Sequence, residues 1–383
     1  MKITDIQAIH LRVEDPNIGL FDGSYDDCVI RVETDEGITG IGEVETLADA
    51  VQAIVYARPA HCKAWGLREL LLGRDPSNPR GLWDLMYDST CYVGRRGLMM
   101  HAIGGVDIAL WDIAGQMRGV PIHELLGGAR RDRIEAYGTI YPMAATEAGV
   151  KRQVEEAMDR LRLRNVKFAA DPWWMDDLDL THRLLRSARE ALGSGRLIVD
   201  AALSYKTADE GLMLVPILKD VGVLFLEAPL PLDDVAGHAR MAEAGIPLGV
   251  GDLGLTHVDE FIEAMDRGGA SICQPDITSV GGFTGILKIA EAARQRGKRV
   301  ITHGYKTNIE IAANLHFLAN HHDTELLEYS TSKSPLRWET TEESILVDAD
   351  GMVAVPKTPG LGVHLNPATI ERYRVGQRER ACV

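Results

Sequence analysis

From about residue 133 the chain repeats one unit: a short apolar run, a polar residue where the run ends, then an amphipathic stretch. The runs cover 134–140, 165–170, 196–200, 223–227, 246–252, 270–276, 299–303 and 324–328. Between them, apolar residues recur at helical spacing, as in Val150, Val154, Met158 and Leu161, or Val258, Phe261, Ile262 and Met265. The last six runs end at Asp200, Glu227, Asp252, Asp276, His303 and Glu328, with separations of 27, 25, 24, 27 and 25 residues. That is the length of one strand, one helix and two short loops. Continuous apolar strands alternating with helices imply a parallel sheet covered by helices. Eight of them imply a closed (β/α) barrel.

In such a barrel the C-terminal strand ends converge on one mouth, so these six residues share a site. Five acids and a histidine in one cavity cannot all stay ionised without a cation. Carboxylate oxygens with open water positions suit a hard divalent ion, Mg²⁺ before Mn²⁺ or Ca²⁺. The lack of clustered Cys and His argues against zinc. The competing reading makes each acid a solvated strand end, and the common register of all six weighs against it.

The first third reads differently. Residues 3–13 and 28–34 are rich in β-branched side chains, Asp35-Glu36-Gly37 makes a turn, and 38–44 returns as a strand. Two helical stretches follow, the clearer at 98–117, before Gly127-Gly128 breaks the chain. A strand meander followed by helices marks an α+β unit. The expected organisation is an α+β domain over 1–130, an α/β barrel over 131–350, and a C-terminal segment over 351–383.

The 383 residues carry 41 Lys+Arg against 56 Asp+Glu, a net charge of −15. Such a balance repels phosphate backbones and anionic lipid, so neither nucleic acid nor a membrane surface is an expected partner. No run of 18 apolar residues suggests a spanning helix, and the opening MKITDI does not read as a signal peptide. The five scattered cysteines (Cys28, Cys62, Cys91, Cys273 and Cys382) read as reduced thiols of a cytoplasmic protein.

Asp200, Glu227 and Asp252 ending three successive strands, with Lys167 before them and Asp276 and His303 after, resemble the enolase superfamily, mandelate racemase subgroup. AIGGVDIALWDIAGQ (102–116) resembles its helix before the barrel, VPIHELLGG (120–128) its crossing into the barrel, and PGLGVHLN (359–366) its return to the cap. The resemblance implies a modified (β/α)7β barrel and abstraction of a proton α to a carboxylate, with Mg²⁺ helping to stabilise the resulting enediolate. It implies that Asp200, Glu227 and Asp252 hold Mg²⁺. His303 would be the general base, with Asp276 orienting it. Lys167 would sit beside the substrate carboxylate, and Glu328, as a protonated acid, would bond one of its oxygens. The family habit also implies a homo-oligomer.

The second strand of that family commonly ends Lys-x-Lys, whereas this one reads Lys167-Phe168-Ala169. A two-base racemase or epimerase needs a base on each face, and alanine moves no proton. A single His303 can take the α-proton and then, as imidazolium, protonate a departing β-hydroxyl. The expected activity is therefore dehydration of a sugar acid, an aldonate or aldarate, to a 2-keto-3-deoxy acid. The alternatives are cycloisomerisation of a sugar-acid lactone, then racemisation. An inactive relative is a further reading, since Ala202 stands where Asn is frequent, the second Glu is missing after Glu227, and Asp252 is shorter than the usual Glu.

Phe21, Arg95, Arg96, Trp173 and Tyr305 are candidate substrate contacts, with Trp174, Lys306 and Arg337 weaker ones. Gly249-Val250-Gly251-Asp252-Leu253-Gly254 matches G-x-G-x-x-G, which raises a dinucleotide-binding oxidoreductase. The match falls at the fifth of eight strands. A helix starting at Thr256, capped with Asp259, would leave Gly254 in a loop, so this reading is set aside. The run His321-His322-Asp323 reads as a helix end. A purely binding or structural protein on this scaffold would show neither Mg²⁺ binding nor α-proton exchange.

Overall fold

All eight apolar runs form strands of one parallel sheet: β4 (Arg133–Ile140), β5 (Val166–Ala169), β6 (Leu197–Asp200), β7 (Val223–Glu227), β8 (Leu248–Asp252), β9 (Ile272–Pro275), β10 (Arg299–Val300) and β11 (Leu326–Ser330). The computed structural model describes residues 1–14, 23–142, 144–169, 177–321 and 326–376. Each strand pairs with the next in parallel, β11 pairs with β4, and a parallel bridge between Thr302 and Leu327 closes the ring. The strands carry no inside/outside alternation because both faces are buried. Tyr137, Ile198, Phe225, Ile272, Ile301 and Leu326 fill one interior cluster, while a larger core lies between the strands and the surrounding helices.

Seven described helices link consecutive strands, in the (β/α)7β pattern. The first, α6 (Glu147–Leu161), buries Val150, Val154 and Leu161. The helix after β8, α10 (Val258–Asp266), buries Phe261 and Met265. Its cap differs from expectation: His257 is the capping residue, and Glu260 reaches back to the amides of Thr256 and His257, each at 2.9 Å. Glutamate reaches the backbone where Asp259, one methylene shorter and one residue earlier, does not.

The N-terminal unit is an antiparallel meander of β1 (Ile3–Arg12), β2 (Asp26–Thr34) and β3 (Thr39–Val44), with the turn at Gly37 in left-handed backbone, φ 83°. Against it lies α4 (Leu98–Arg118). This 21-residue helix is long and apolar enough to cross a membrane, a feature that the sequence reading passed over, but 94% of its apolar window is buried inside the protein. Two glycines set its depth. A Cβ on Gly105 would fall 2.4 Å from Val44 of β3, and one on Gly104 would fall 2.3 Å from the Thr278 carbonyl of the barrel.

The polar residues of the same helix fasten the two units. Asp107 accepts the backbone amide of Thr284 (2.9 Å) and its hydroxyl (2.8 Å), at the start of barrel helix α11 (Gly282–Gln295). Glu43 of β3 does the same for α12 (Asn308–Asn320), accepting from the amides of Thr307 (3.1 Å) and Glu310 (2.9 Å). Two barrel helices thus take their N-terminal acceptors from the cap, which holds it over the mouth. The C-terminal segment makes contacts with the N-terminal unit. Leu361 donates to Asp112 of α4 at 2.9 Å, and Arg374 bridges to Leu11.

Candidate active site

Asp200 and Glu227 are the last residues of β6 and β7 and lie side by side in register; Asp252 ends β8. The chain leaves these strands through left-handed turns at Ala202, Leu203, Ala228 and Asp252, with φ between 43° and 59°. Such backbone is costly for residues with a Cβ, and here it gathers at three adjacent strand ends.

The glycines of the 249–254 segment have a local purpose unrelated to a dinucleotide. A Cβ on Gly249 would fall 2.0 Å from Oε1 of Gln274, and one on Gly251 would fall 2.5 Å from the Gln274 carbonyl. They make room for Gln274, whose Nε2 donates to Glu227 Oε2 at 2.6 Å. Gly254 closes a turn onto the Gly251 carbonyl (3.0 Å) and lies outside the helix.

Lys167, buried in β5, reaches Glu227 Oε1 and Glu328 Oε1, both at 2.8 Å, and Asp200 Oδ2 at 3.8 Å. Burial would lower its pKa, but the charges of Glu227 and Glu328 outweigh it and hold the ammonium well above its usual range. Glu328 departs from expectation twice. It sits inside β11, two residues before its end, beside Tyr137 of β4. Its carboxyl is also held below the ordinary value, because Lys167 and His303 outweigh the burial that would raise it. Tyr137 (3.0 Å), Thr139 and the Gly304 amide (3.3 Å) donate to it, leaving no call for a proton.

Across the mouth, His303 Nδ1 donates to Asp276 Oδ2 at 2.8 Å, and its Nε2 lies 3.1 Å from Asp252 Oδ1. Asp276 is fixed in turn by the Thr278 amide (2.7 Å), the Thr278 hydroxyl (2.6 Å) and the Ser279 amide (3.1 Å). Burial pushes the His303 ring down, but Asp252, Glu328 and Asp276 more than reverse it and raise its pKa above the ordinary imidazole value. Asp276 lies below its usual value despite burial, because His303 and Thr278 bond its charged form.

Asp200, Glu227, Asp252, Asp276 and Glu328 face only Lys167 and His303 as cations in these contacts. Burial pushes Asp200 up to about 6 and Glu227 up to about 8. An excess of desolvated carboxylate with hard oxygen donors fits a divalent cation such as Mg²⁺ held by Asp200, Glu227 and Asp252. Among the described residues, the acid and histidine group whose ligand atoms all lie within 4.8 Å of one another is Glu45, Asp276 and His303. Its His303 nitrogen and Asp276 oxygens are already committed to each other and to Thr278 and Ser279, which suits a proton site better than a metal.

Ala169 ends β5 in register with Asp200, so a methyl group occupies that part of the rim. Other candidates are placed elsewhere. Arg96 is spent on the start of α10, 3.3 Å from Asp259 and 3.5 Å from Glu260, so it is no free carboxylate anchor; Arg95 lends it a carbonyl. Tyr305 is buried, with its hydroxyl 3.2 Å from Thr331 Oγ1 and its ring edge-on to Tyr141. Lys306 donates to the carbonyls of Gly23 and Asp26, tying the base of the cap to the barrel. Arg337 is fully buried, bonded to Asn308 (2.7 Å) and lying over the Tyr329 and Trp338 rings, so it is structural. Phe21, Trp173, Trp174, His322 and Asp323 lie outside the described residues. The sequence reading missed Glu43, Glu45, Tyr137, Thr139 and Gln274. The Glu43-x-Glu45 pair closing the apolar run of β3 was its one available signal.

Residues 149–369 match the family described as enolase C-terminal domain-like, and residues 25–127 match the mandelate racemase / muconate lactonizing enzyme N-terminal domain. Among curated proteins, an arabinonate dehydratase from Saccharolobus solfataricus is 32% identical over 93% of this chain and 92% of its own. A D-galactarolactone cycloisomerase from Agrobacterium fabrum is 30% identical over 91% of each. Among solved structures, the 3,6-anhydro-D-galactonate cycloisomerase from Zobellia galactanivorans superposes with a TM-score of 0.87 at 26% identity, over 98% of this chain and all of that one.

Proposed function

The chain belongs to the mandelate racemase / muconate lactonizing enzyme family of the enolase superfamily, and from that membership we propose that it dehydrates a sugar acid to a 2-keto-3-deoxy acid. The observation that carries the reading is the asymmetry of the mouth: one histidine base, locked by Asp276, against an alanine at the end of β5. Abstraction followed by elimination needs a base on one face only, whereas inversion of a stereocentre needs one on each.

In this reading the substrate carboxylate lies between Lys167 and the β6–β8 strand ends. Lys167 places a buried, permanently charged ammonium beside the oxygen that gains charge, and Glu328 holds that ammonium in place. Asp200, Glu227 and Asp252 would hold Mg²⁺, which would supply further positive charge to the same oxygens. His303 Nε2 takes the α-proton, with Asp276 fixing the ring so that this nitrogen faces the cavity. The arabinonate dehydratase and the D-galactonate dehydratases among its relatives support the substrate class.

The named cycloisomerases support a second reading, opening of a sugar-acid lactone or anhydro ring with the same base. Incubation with a panel of aldonates, aldarates and their lactones, with Mg²⁺ and semicarbazide detection of 2-keto acids, separates the two. A 2-keto acid from an open-chain acid supports dehydration. Consumption of lactones alone supports cycloisomerisation.

A further inference from the structure

The two-step chemistry proposed above needs a proton on the departing hydroxyl, and the cap supplies a group for it. Glu45, just beyond β3, is 7% exposed, and its Oε2 is buried with no hydrogen-bond partner among the described residues. A carboxyl oxygen of Glu45 lies within 4.8 Å of the ligand atoms of both His303 and Asp276.

Its position follows from a continuous chain of bonds. The Glu45 amide donates to Thr278 Oγ1 (3.1 Å), that hydroxyl donates to Asp276 Oδ1 (2.6 Å), and Asp276 Oδ2 accepts from His303 (2.8 Å). The His101 ring, 3.3 Å from the Glu45 carbonyl, supports the other side. A buried carboxyl oxygen left without a partner costs free energy unless a ligand or a proton completes it. Burial pushes the Glu45 carboxyl up to about 7. Lys306 and His303 oppose the shift, while Asp276 and Asp252 add to it.

Resting on the dehydratase reading, we propose that Glu45 is the acid that protonates the departing β-hydroxyl, with His303 serving as base. His303 takes the α-proton. As the C–O bond breaks, the electron pair left at Cα forms the C=C bond, and Glu45 delivers its proton to the leaving oxygen, releasing water. The enol then collapses to the ketone: C3 takes the proton from His303, and the enol hydroxyl proton returns through water to Glu45. Protons and electrons balance, and both residues are reset. Of the two groups, only Glu45 comes from the capping domain, so elimination depends on the cap being seated.

The test compares wild type, Glu45→Gln and Glu45→Asp with Mg²⁺ and sugar acids in D₂O, read by proton NMR. Glutamine copies the shape of the neutral acid and carries no transferable proton. It should cut keto-acid formation about 100-fold or more, while α-deuterium still enters the recovered substrate because His303 remains. Aspartate should restore part of the elimination. Elimination at the wild-type rate in Glu45→Gln overturns the proposal. So does an equal loss of exchange and elimination, which marks a structural role. A wild type that neither exchanges nor eliminates any acid overturns the dehydratase reading and this assignment with it.

Discussion

The Nζ of Lys167, on the second barrel strand, lies 2.8 Å from Oε1 of Glu227, which ends the fourth, with both side chains sealed from solvent. The pair joins the strand ends proposed to hold Mg²⁺ to the side proposed to meet the substrate carboxylate, through a single ammonium that also holds Glu328. Replacing Lys167 by Met should leave two desolvated carboxylates without their cation. Removing one partner of a buried pair typically costs about 3–5 kcal/mol. Urea denaturation of Lys167→Met should show a loss of that order, with kcat/KM falling by more than about 100-fold. Wild-type kinetics would remove Lys167 from the substrate site.

His303→Asn keeps a donor toward Asp276 but removes the base. It should abolish both α-proton exchange and turnover, by about 10²–10⁴-fold, while the melting temperature and Mg²⁺ binding stay near wild type. Retained exchange would place the base elsewhere.

The period of the barrel was legible because parallel strands buried on both faces must be apolar throughout, and their ends then stand out at constant spacing. The polar strand ends were legible for the same reason. What stayed hidden depends on partners far away in the chain. Arg96 looked free until folding brought Asp259 and Glu260 to it from 163 and 164 positions further on. Glu328 looked like an acid in need of a proton until Lys167 was placed 2.8 Å away. Glu43 lies near the end of a cap strand and Glu45 just beyond it, and nothing local says that this strand faces the barrel mouth.

The cap is seated by contacts both remote from the site and next to it. Asp107→Ala removes the acceptor at the start of α11 and should cost about 1–2 kcal/mol, with little change in KM for a cap that stays docked. Gly104→Val is more severe, since even its Cβ would lie 2.3 Å from the Thr278 carbonyl. It should lower kcat through Thr278, which links Asp276 and Glu45, and limited proteolysis should cut the loosened cap first.

His316 and His123 meet through their Nδ1 atoms at 3.0 Å, and His316 Nε2 faces the Leu361 carbonyl at 3.1 Å. The carbonyl requires a proton on His316 Nε2, so His316 Nδ1 accepts and His123 Nδ1 donates. Burial pushes His316 down to about 3 and also lowers His123. A histidine with a depressed folded-state pKa contributes stability that is present above its unfolded value of about 6.5 and is lost as pH falls toward the folded value. Between pH 7 and pH 5 the His316 contribution should fall by about 2 kcal/mol. Urea denaturation of wild type and His316→Asn at both pH values checks this: the gap between the two proteins should narrow at pH 5.

Chelation with EDTA should abolish turnover and lower the melting temperature, both restored by Mg²⁺. Asp252 raises the pKa of the His303 ring, so Mg²⁺ bound at Asp252 should let the ring titrate at lower pH. Ring-nitrogen NMR with and without Mg²⁺ reads this directly, and an unchanged titration would remove Asp252 from the metal site.

The most direct measurement is proton NMR of the wild-type protein with Mg²⁺ and a library of mono- and di-acid sugars in D₂O. Dehydration predicts new C3 methylene signals beside a ketone from at least one acid, carrying deuterium from solvent. Deuterium entering Cα of an otherwise unchanged acid, with its epimer accumulating and no ketone formed, would contradict it.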